Sequence, residues 1–509
     1  MHPKTPPTQA PTADAPAAPA LDPFDKNAPP PRRDWRYGLA PSYIGTFFWV
    51  VFYEQMAVHT LMVGGLAWTV AGVAAGAALA RWLLYLAPAL WGVRSGRPLA
   101  ELSKATFGVA GSAWLPGLVV ALAAMGWFAA AIWSTTSTIL NGLELLGMVA
   151  PGSTALGASG PLPLHGGAFL LISLLWCLMI GLIGAFVTRL VSAIANIYPM
   201  FPAAALAAGL LLTVRGLASF APTGIDPVSH VAVRLPELST LLHAAGLVFA
   251  FATLPGLIGA DWGAGSLGET DVKLGGWVGL VLAPAITATL AMLIIAGSIG
   301  LRPAPVVSET GPDPYGLRTT KAADPVGPTV DDLTLTEVVH NRIGGRTGGL
   351  ILLLLGVGSS GMAAFAAFLF SKRMAALDLG PSRMHWTILG VLAAWPLVAT
   401  GLASHLGSLF NILGSLLAPV AAAITADFLL TRGQWPGPRR GLNPAGWAAW
   451  FAGLGAGLAL ALASLNGPIS LIPPPMAAYA VGFVVYLAVG LAGGLSPAID
   501  PQPAAQAGS

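Results

Sequence analysis

About twelve stretches of roughly twenty apolar residues follow one another along this chain, and that repetition constrains its fold more than any other feature. With 55% hydrophobic and only 9% charged residues in 509, and a mean hydropathy of +0.74, the chain is too apolar for a soluble domain. The spans fall at about 42 to 67, 69 to 92, 114 to 149, 166 to 187, 189 to 214, 240 to 260, 275 to 300, 347 to 371, 385 to 404, 408 to 431, 445 to 465 and 472 to 494. These runs are continuous in hydrophobicity and do not alternate, which selects helices over the strands of a closed barrel, the other structure that satisfies its backbone in lipid. The sequence predicts an all-α polytopic membrane protein with about twelve transmembrane helices.

Positive charge orients the spans, because Lys and Arg close to span ends stay on the cytoplasmic side. Arg32, Arg33 and Arg36 precede the first span, Arg94, Arg97 and Lys104 follow the second, Lys372, Arg373 and Arg383 the eighth, and Arg432, Arg439 and Arg440 the tenth. All fall on one side if both termini are cytoplasmic, and the connections after spans three, nine and eleven carry no Lys or Arg. The net charge of +3 is therefore a record of topology and not a nucleic-acid patch, and a multi-pass protein of the cell inner membrane is expected. Residues 1–34, rich in Pro and Ala without an apolar signal core, read as a disordered cytoplasmic tail, as do residues 496–509. Residues 302–346 read as an external loop whose final part, DDLTLTEVVHNRIGG, has the makings of a short helix. The remainder divides into a ten-helix core over 35–435 and two further helices over 436–495.

Familiar catalytic and nucleotide chemistries are missing. No Cys or His cluster has metal-ligand spacing, no phosphate-binding loop pattern occurs, and the single cysteine, Cys177, lies in an apolar span. The chain reads as a non-enzyme without a cofactor. What the spans do carry is Glu54, with Gln55 and His59, inside the first of them. A charge at the centre of a membrane helix costs on the order of 3 kcal/mol on insertion scales, so such a residue faces a partner, a cavity or an ion. Arg81 in the second span is one candidate ion-pair partner; a bound proton or cation is the other.

After the second span the chain reads GRPLAELSKATFGVAGSAWLPGLVVALAAMGWFAAAIW. Phe107, Gly108, Gly111 and Ser112, followed by Trp127 and Phe128, give this stretch its character. The tenth span, FNILGSLLAPVAAAITADFLLTR, carries a central Pro419 and a terminal Asp427-Phe428 pair. With weaker matches at Trp49, Gln55, Asp261 and LTLTEVV, the chain from about 35 to 435 resembles the nucleobase–cation symporter family of cytosine, purine, uracil, allantoin and hydantoin permeases. The resemblance implies a leucine-transporter-like fold, five helices plus five in inverted repeat and two more at the C-terminus, with substrate and ion near interruptions in the first and sixth helices. Pro255, Gly256 and Gly259 mark the second interruption; between Gly45 and Gly64 nothing marks the first.

Carried over by position, the resemblance puts the rings that sandwich a flat heterocycle at Trp127 and Phe251, and an amide at Gln55. Packing is the competing role for both rings. Where hydantoin-type members have polar substrate readers, this chain has Ala131 and Phe365, leaving Ser134, Thr135 and Ser137 as replacement hydroxyls. A Na+ site of that family would fall on carbonyls of Val51 and Glu54 and on Gly356, Ser359 and Ser360, although small residues here also serve close helix packing. The reading is a monomeric secondary transporter importing a small planar nitrogen heterocycle with H+ or Na+. An amino-acid or other small-solute carrier of the same fold, or a non-transporting receptor, is the alternative.

Overall fold

The computed structural model describes residues 32–36, 44–46, 55–150, 166–186, 199–229, 231–301, 333–377, 379–465 and 472–499. Among them, ten helices are long and apolar enough to cross a membrane. We name these α1 (Gly65–Ser95), α2 (Ala113–Leu145), α3 (Gly167–Gly184), α4 (Met200–Ser219), α5 (Pro236–Leu257), α6 (Glu269–Gly300), α7 (Gly345–Ala375), α9 (Leu406–Leu430), α10 (Pro444–Ala463) and α11 (Pro474–Leu491). Between α7 and α9 lies the 17-residue α8, Arg383–Ala399, where the ninth span was expected. Residues 42–43 and 47–54 of the expected first span lie outside the described residues, and so does the segment 302–332 of the external loop. The all-helical reading holds for the described residues, which contain isolated bridges but no strand.

Burial separates an inner bundle from its surround. In α2, α5 and α9 the apolar window is 78%, 83% and 78% buried, against 33% in α3, α4, α10 and α11, whose other faces are left for lipid. The inner helices approach closely because small residues face one another. A methyl added at Gly72 or Gly76 of α1 would stand 2.5 Å from the carbonyl oxygen of Leu241 or Ala245 in α5. The same seam continues past the end of α5, where a Cβ at Gly263 would lie 2.1 Å from the Ala89 carbonyl.

The interruption expected at Pro255 and Gly256 falls slightly later. Helix α5 runs through both to Leu257, breaks at Ile258 (φ −72°, ψ −1°), and resumes as a short helix, Gly259–Ala264. Gly256 and Gly259 act as contact points, since a Cβ would come within 2.7 Å of Leu84 and 2.6 Å of Tyr85 respectively. In the first span, residues 55–64 form successive turns and not a regular helix, with Gly64 N–H donating to Thr60 and Leu61 N–H to Ala57. The expected pre-α7 helix exists as Leu335–Val338, capped by Thr334, whose side chain accepts from the Glu337 amide.

Both chain ends are held further out than composition suggests. Arg33 N–H donates to the Gly265 carbonyl at 2.8 Å and Trp35 N–H to Asp271 at 3.2 Å, so the chain is anchored from Arg32 onward. At the other end Ser496 N–H donates to Asn443 Oδ1 at 3.0 Å and Ile499 N–H to the Pro438 carbonyl at 2.7 Å. Low hydrophobicity says nothing of backbone partners that other loops supply.

Candidate substrate and ion site

Three aromatic rings meet at the centre of the inner bundle. Trp127 of α2 and Phe251 of α5 lie with centroids 4.4 Å apart and planes tilted by 32°. Phe410 of α9 stands edge-on to Trp127 at 5.2 Å and 5.3 Å from Phe251, and all three side chains are fully buried. Gln55 reaches the same neighbourhood from the first span, since a Cβ at Gly407, one turn before Phe410, would lie 3.2 Å from its Oε1. The structure therefore brings Trp127, Phe251 and Gln55 together and adds Phe410, which the sequence reading passed over as one of many aromatics. With an aromatic spacing of 4.4 Å the two rings are in contact, whereas a planar ligand between them needs about 7 Å, twice a carbon–carbon contact.

The other expected substrate residues sit around this cluster or away from it. Ala131, one turn after Trp127, is fully buried, and its carbonyl accepts from Thr135 Oγ1 at 2.7 Å. Thr135 Oγ1 in turn accepts from the Trp176 indole at 3.1 Å, so this replacement hydroxyl is already engaged. Ser134 and Ser137 keep buried hydroxyls without a partner among the described residues. Phe365 has another neighbour: its ring stacks on Trp262 of the short helix beyond the Ile258 break, at 6.3 Å and 22°.

Of the cation residues, Val51 and Glu54 lie outside the described residues. The two serines differ from each other. Ser360 Oγ donates to the Val357 carbonyl at 2.7 Å, while Ser359 Oγ is buried with no partner among the described residues. A buried hydroxyl left in that state is a ready oxygen for a hard cation. Gly356 lies where α7 presses on α2, with space for a Cβ closed by Ile139 at 2.6 Å and the Thr135 carbonyl at 3.3 Å. Arg81, 3% exposed, lies between the Trp82 and Trp277 rings at 4.8 and 4.4 Å and donates to the Lys273 carbonyl at 3.4 Å.

Contacts close the bundle at both ends. At the end opposite Arg373 and Arg439, labelled the outer end after the expected topology, His59 Nδ1 meets Asp226 Oδ1 at 2.9 Å, and its ring lies edge-on to His243 at 5.0 Å. Burial raises the Asp226 pKa, but hydrogen bonds from His59 and Ser229 outweigh it and bring the carboxyl down to about 2. The same loop donates from Thr223 and Gly224 N–H to the Met62 carbonyl. At the basic end Arg373 of α7 pairs with Asp261 of the short helix. Deeper in, Arg439 makes two bonds to Asp427, 2.8 and 3.0 Å, and one to Tyr486 Oη at 3.1 Å, while Thr106 Oγ1 adds a fourth contact to the network at 3.0 Å from Asp427. Asp261 and Asp427 are visible in sequence as acids at span ends. Their arginines are not, because the partners come from 112 and 12 residues away.

No family model and no curated protein matches this chain. Solved structures do. A nucleobase-cation-symport-1 family transporter, Mhp1, in a closed conformation with bromovinylhydantoin bound, superposes with a TM-score of 0.57 at 15% identity over 91% of this chain and 94% of that one. Mhp1 in its inward-facing conformation gives 0.56 at 14% identity, covering 93% and 96% of the two chains. A Na+-coupled sialic acid symporter in its outward-open state gives 0.55 at 10% identity, covering 92% of each. The chain has the fold of these leucine-transporter-like proteins. In that frame the first span, described from Gln55 onward, belongs with α1–α4 to one repeat, α5–α9 form the other, and α10 and α11 are the additional pair.

Proposed function

We propose that this protein is a secondary transporter of the inner membrane, with both termini cytoplasmic, importing a small planar nitrogen heterocycle of the nucleobase or hydantoin kind with H+ or Na+. The observation that supports this reading is the fully buried cluster of Trp127, Phe251 and Phe410, with Gln55 beside it, next to the helix break at Ile258. Aromatic faces complement a flat π-system, and the amide of Gln55 offers a donor and an acceptor to its edge. Trp127 and Phe251 separate to admit the ring, each exchanging the other for the ligand. The neighbour Mhp1, solved with bromovinylhydantoin, fits this substrate class. Coupling rests on Ser359 and the Gly356 carbonyl with Val51 if the ion is Na+, and on the Glu54 carboxyl if it is a proton.

Ala131 and Phe365 favour a second reading, a carrier of amino acids or other small solutes, because neither offers a polar group to a heterocycle edge. Thermal-shift screening of purified protein against nucleobases, hydantoins, vitamins and amino acids separates the two, since a ligand stabilises the state that binds it. Trp127→Ala then removes the shift given by a heterocycle, whereas Trp133→Ala, only partly buried, leaves it. Equal effects make Trp127 a packing residue and shift the assignment to the second reading. With Na+ as driver, Ser359→Ala weakens substrate binding only when Na+ is present, by reciprocal linkage. With H+, Glu54→Gln abolishes gradient-driven accumulation and leaves exchange.

A further inference from the structure

A cleft of about 520 Å³ opens at the basic end, between the end of α1 and the chain that leaves α9. Arg94, Arg97 and Arg432 line it, with the indoles of Trp91 and Trp435. We propose that it binds a phosphate-bearing anion, supplied either by an anionic lipid headgroup or by a free phosphate compound.

Four observations converge. The Arg97 guanidinium carbon lies 4.0 Å from the Trp435 ring centroid, a cation–π contact that holds the head group at the cleft, where its N–H donors suit a bidentate acceptor. Neither Arg97 nor Arg432 has an ion-pair partner among the described residues. The indole nitrogens of Trp91, itself fully buried, and Trp435 are buried donors without an acceptor among the described residues, and both rings line the cleft. A buried N–H left without an acceptor costs about 1–3 kcal/mol, so two at one cleft point to an acceptor that belongs there.

The backbone supports the same conclusion. Arg432, at φ +53° the one non-glycine residue in the left-handed region among those described, closes α9 in a Schellman motif, with Gly433 N–H donating to the Phe428 carbonyl at 2.7 Å, and this turn sets the arginine at the cleft. The next residue, Gly433, must lack a side chain, because a Cβ would stand 2.2 Å from Arg94 Nη1. Orientation in the membrane requires only that basic residues lie near span ends; it requires neither a cleft nor two buried indole donors beside it. No carboxylate lines the cleft among the described residues; Glu269, which accepts from Arg94 Nε at 2.8 Å, is shared with Lys273 at 3.1 Å, so positive charge remains in excess. Arg32 adds to it, its Nη2 lying 3.7 Å from where a Gly96 Cβ would be. Basic pockets between helices at a membrane face suit headgroup phosphates in this way.

The test uses full-length protein, stripped of lipid in a nonionic detergent. Melting is followed with inorganic phosphate against chloride at matched ionic strength, and with phosphatidylglycerol against phosphatidylcholine in mixed micelles. Phosphate or phosphatidylglycerol is expected to stabilise, with apparent affinity about tenfold weaker in Arg97→Gln and in Arg432→Asn. Asn tolerates the left-handed backbone, and Arg432 is exposed, so this variant keeps the fold even if Arg97→Gln does not. Arg346→Gln, at the opposite end of the molecule, is the control for charge alone and leaves both responses unchanged. A phosphatidylglycerol effect larger than that of phosphate assigns the site to a lipid; a phosphate effect with no preference between lipids assigns it to a soluble compound. No stabilisation by either, or stabilisation undiminished in Arg432→Asn, overturns the proposal.

Discussion

The outer and basic ends of this bundle are closed by different physics. At the outer end one loop carboxylate, Asp226, holds one ring, His59, on a segment of turns, and the rest is backbone bonding to Met62. At the basic end the closure is made of ion pairs, a largely buried one of Asp261 with Arg373 and a fully buried one of Asp427 with Arg439, the latter tied to Thr106 and Tyr486. A partly exposed contact on irregular backbone opens at little cost, whereas separating buried charges leaves each without its partner. The comparison implies that the outer end opens by releasing one loop, and that the basic end opens only if its pairs part in concert or move as rigid units.

Three experiments would break or sharpen that contrast. The largest effect is expected at Asp427: Asp427→Ala leaves the Arg439 guanidinium buried and uncompensated, at a cost of about 3–5 kcal/mol, read as loss of folded yield or a strongly lowered melting temperature. A variant that melts near wild type would remove the ion pairs from the account. Next, Asp261→Asn should destabilise by about 2–4 kcal/mol, and adding Arg373→Met should restore most of it, because the penalty lies in the orphaned charge and not in the lost attraction. Additive losses in that cycle would show instead that the pair contributes little beyond packing.

The smallest effect is expected at the outer end. Asp226→Asn should cost about 1–2 kcal/mol at neutral pH, since the carboxyl pKa falls from 3.8 to about 2 on folding and its protonation is disfavoured in the folded state. A depressed carboxyl stabilises above its unfolded pKa and loses that contribution as pH falls toward the folded value. The gap between wild type and variant should therefore be constant above about pH 4 and shrink below it as the pH approaches 2. A gap that does not close on acidification would mean that Asp226 acts through its shape and hydrogen bonds alone.

How far the sequence reaches can be judged from particular residues. Span positions were legible because hydrocarbon demands long apolar runs, and α2, α5, α7 and α9 stand within a few residues of where those runs put them. The resemblance carried by Trp127, Phe128 and the Asp427-Phe428 pair led to the fold later seen in the structural neighbours. Trp127 and Phe251 are in ring contact and Gln55 lies beside Gly407, because positions on separate segments are fixed by the fold and not by local pattern.

Phe410 and Trp262 were not legible. Nothing local separates them from the rest of the 16 Trp and 19 Phe residues, and only the crossing of α9 over α2, or of the short helix over α7, gives each its ring partner. Likewise Ser359 and Ser360 are equivalent as a dipeptide. Helix rotation gives one the Val357 carbonyl and leaves the other without a described partner. The sequence by itself determined that this chain is a multi-pass helical membrane protein and roughly where its long apolar runs lie, because solvent sets those terms residue by residue. Tertiary structure alone decided which arginine answers which acid, where α5 breaks and which rings touch, because those are relations between segments far apart along the chain and close only after packing.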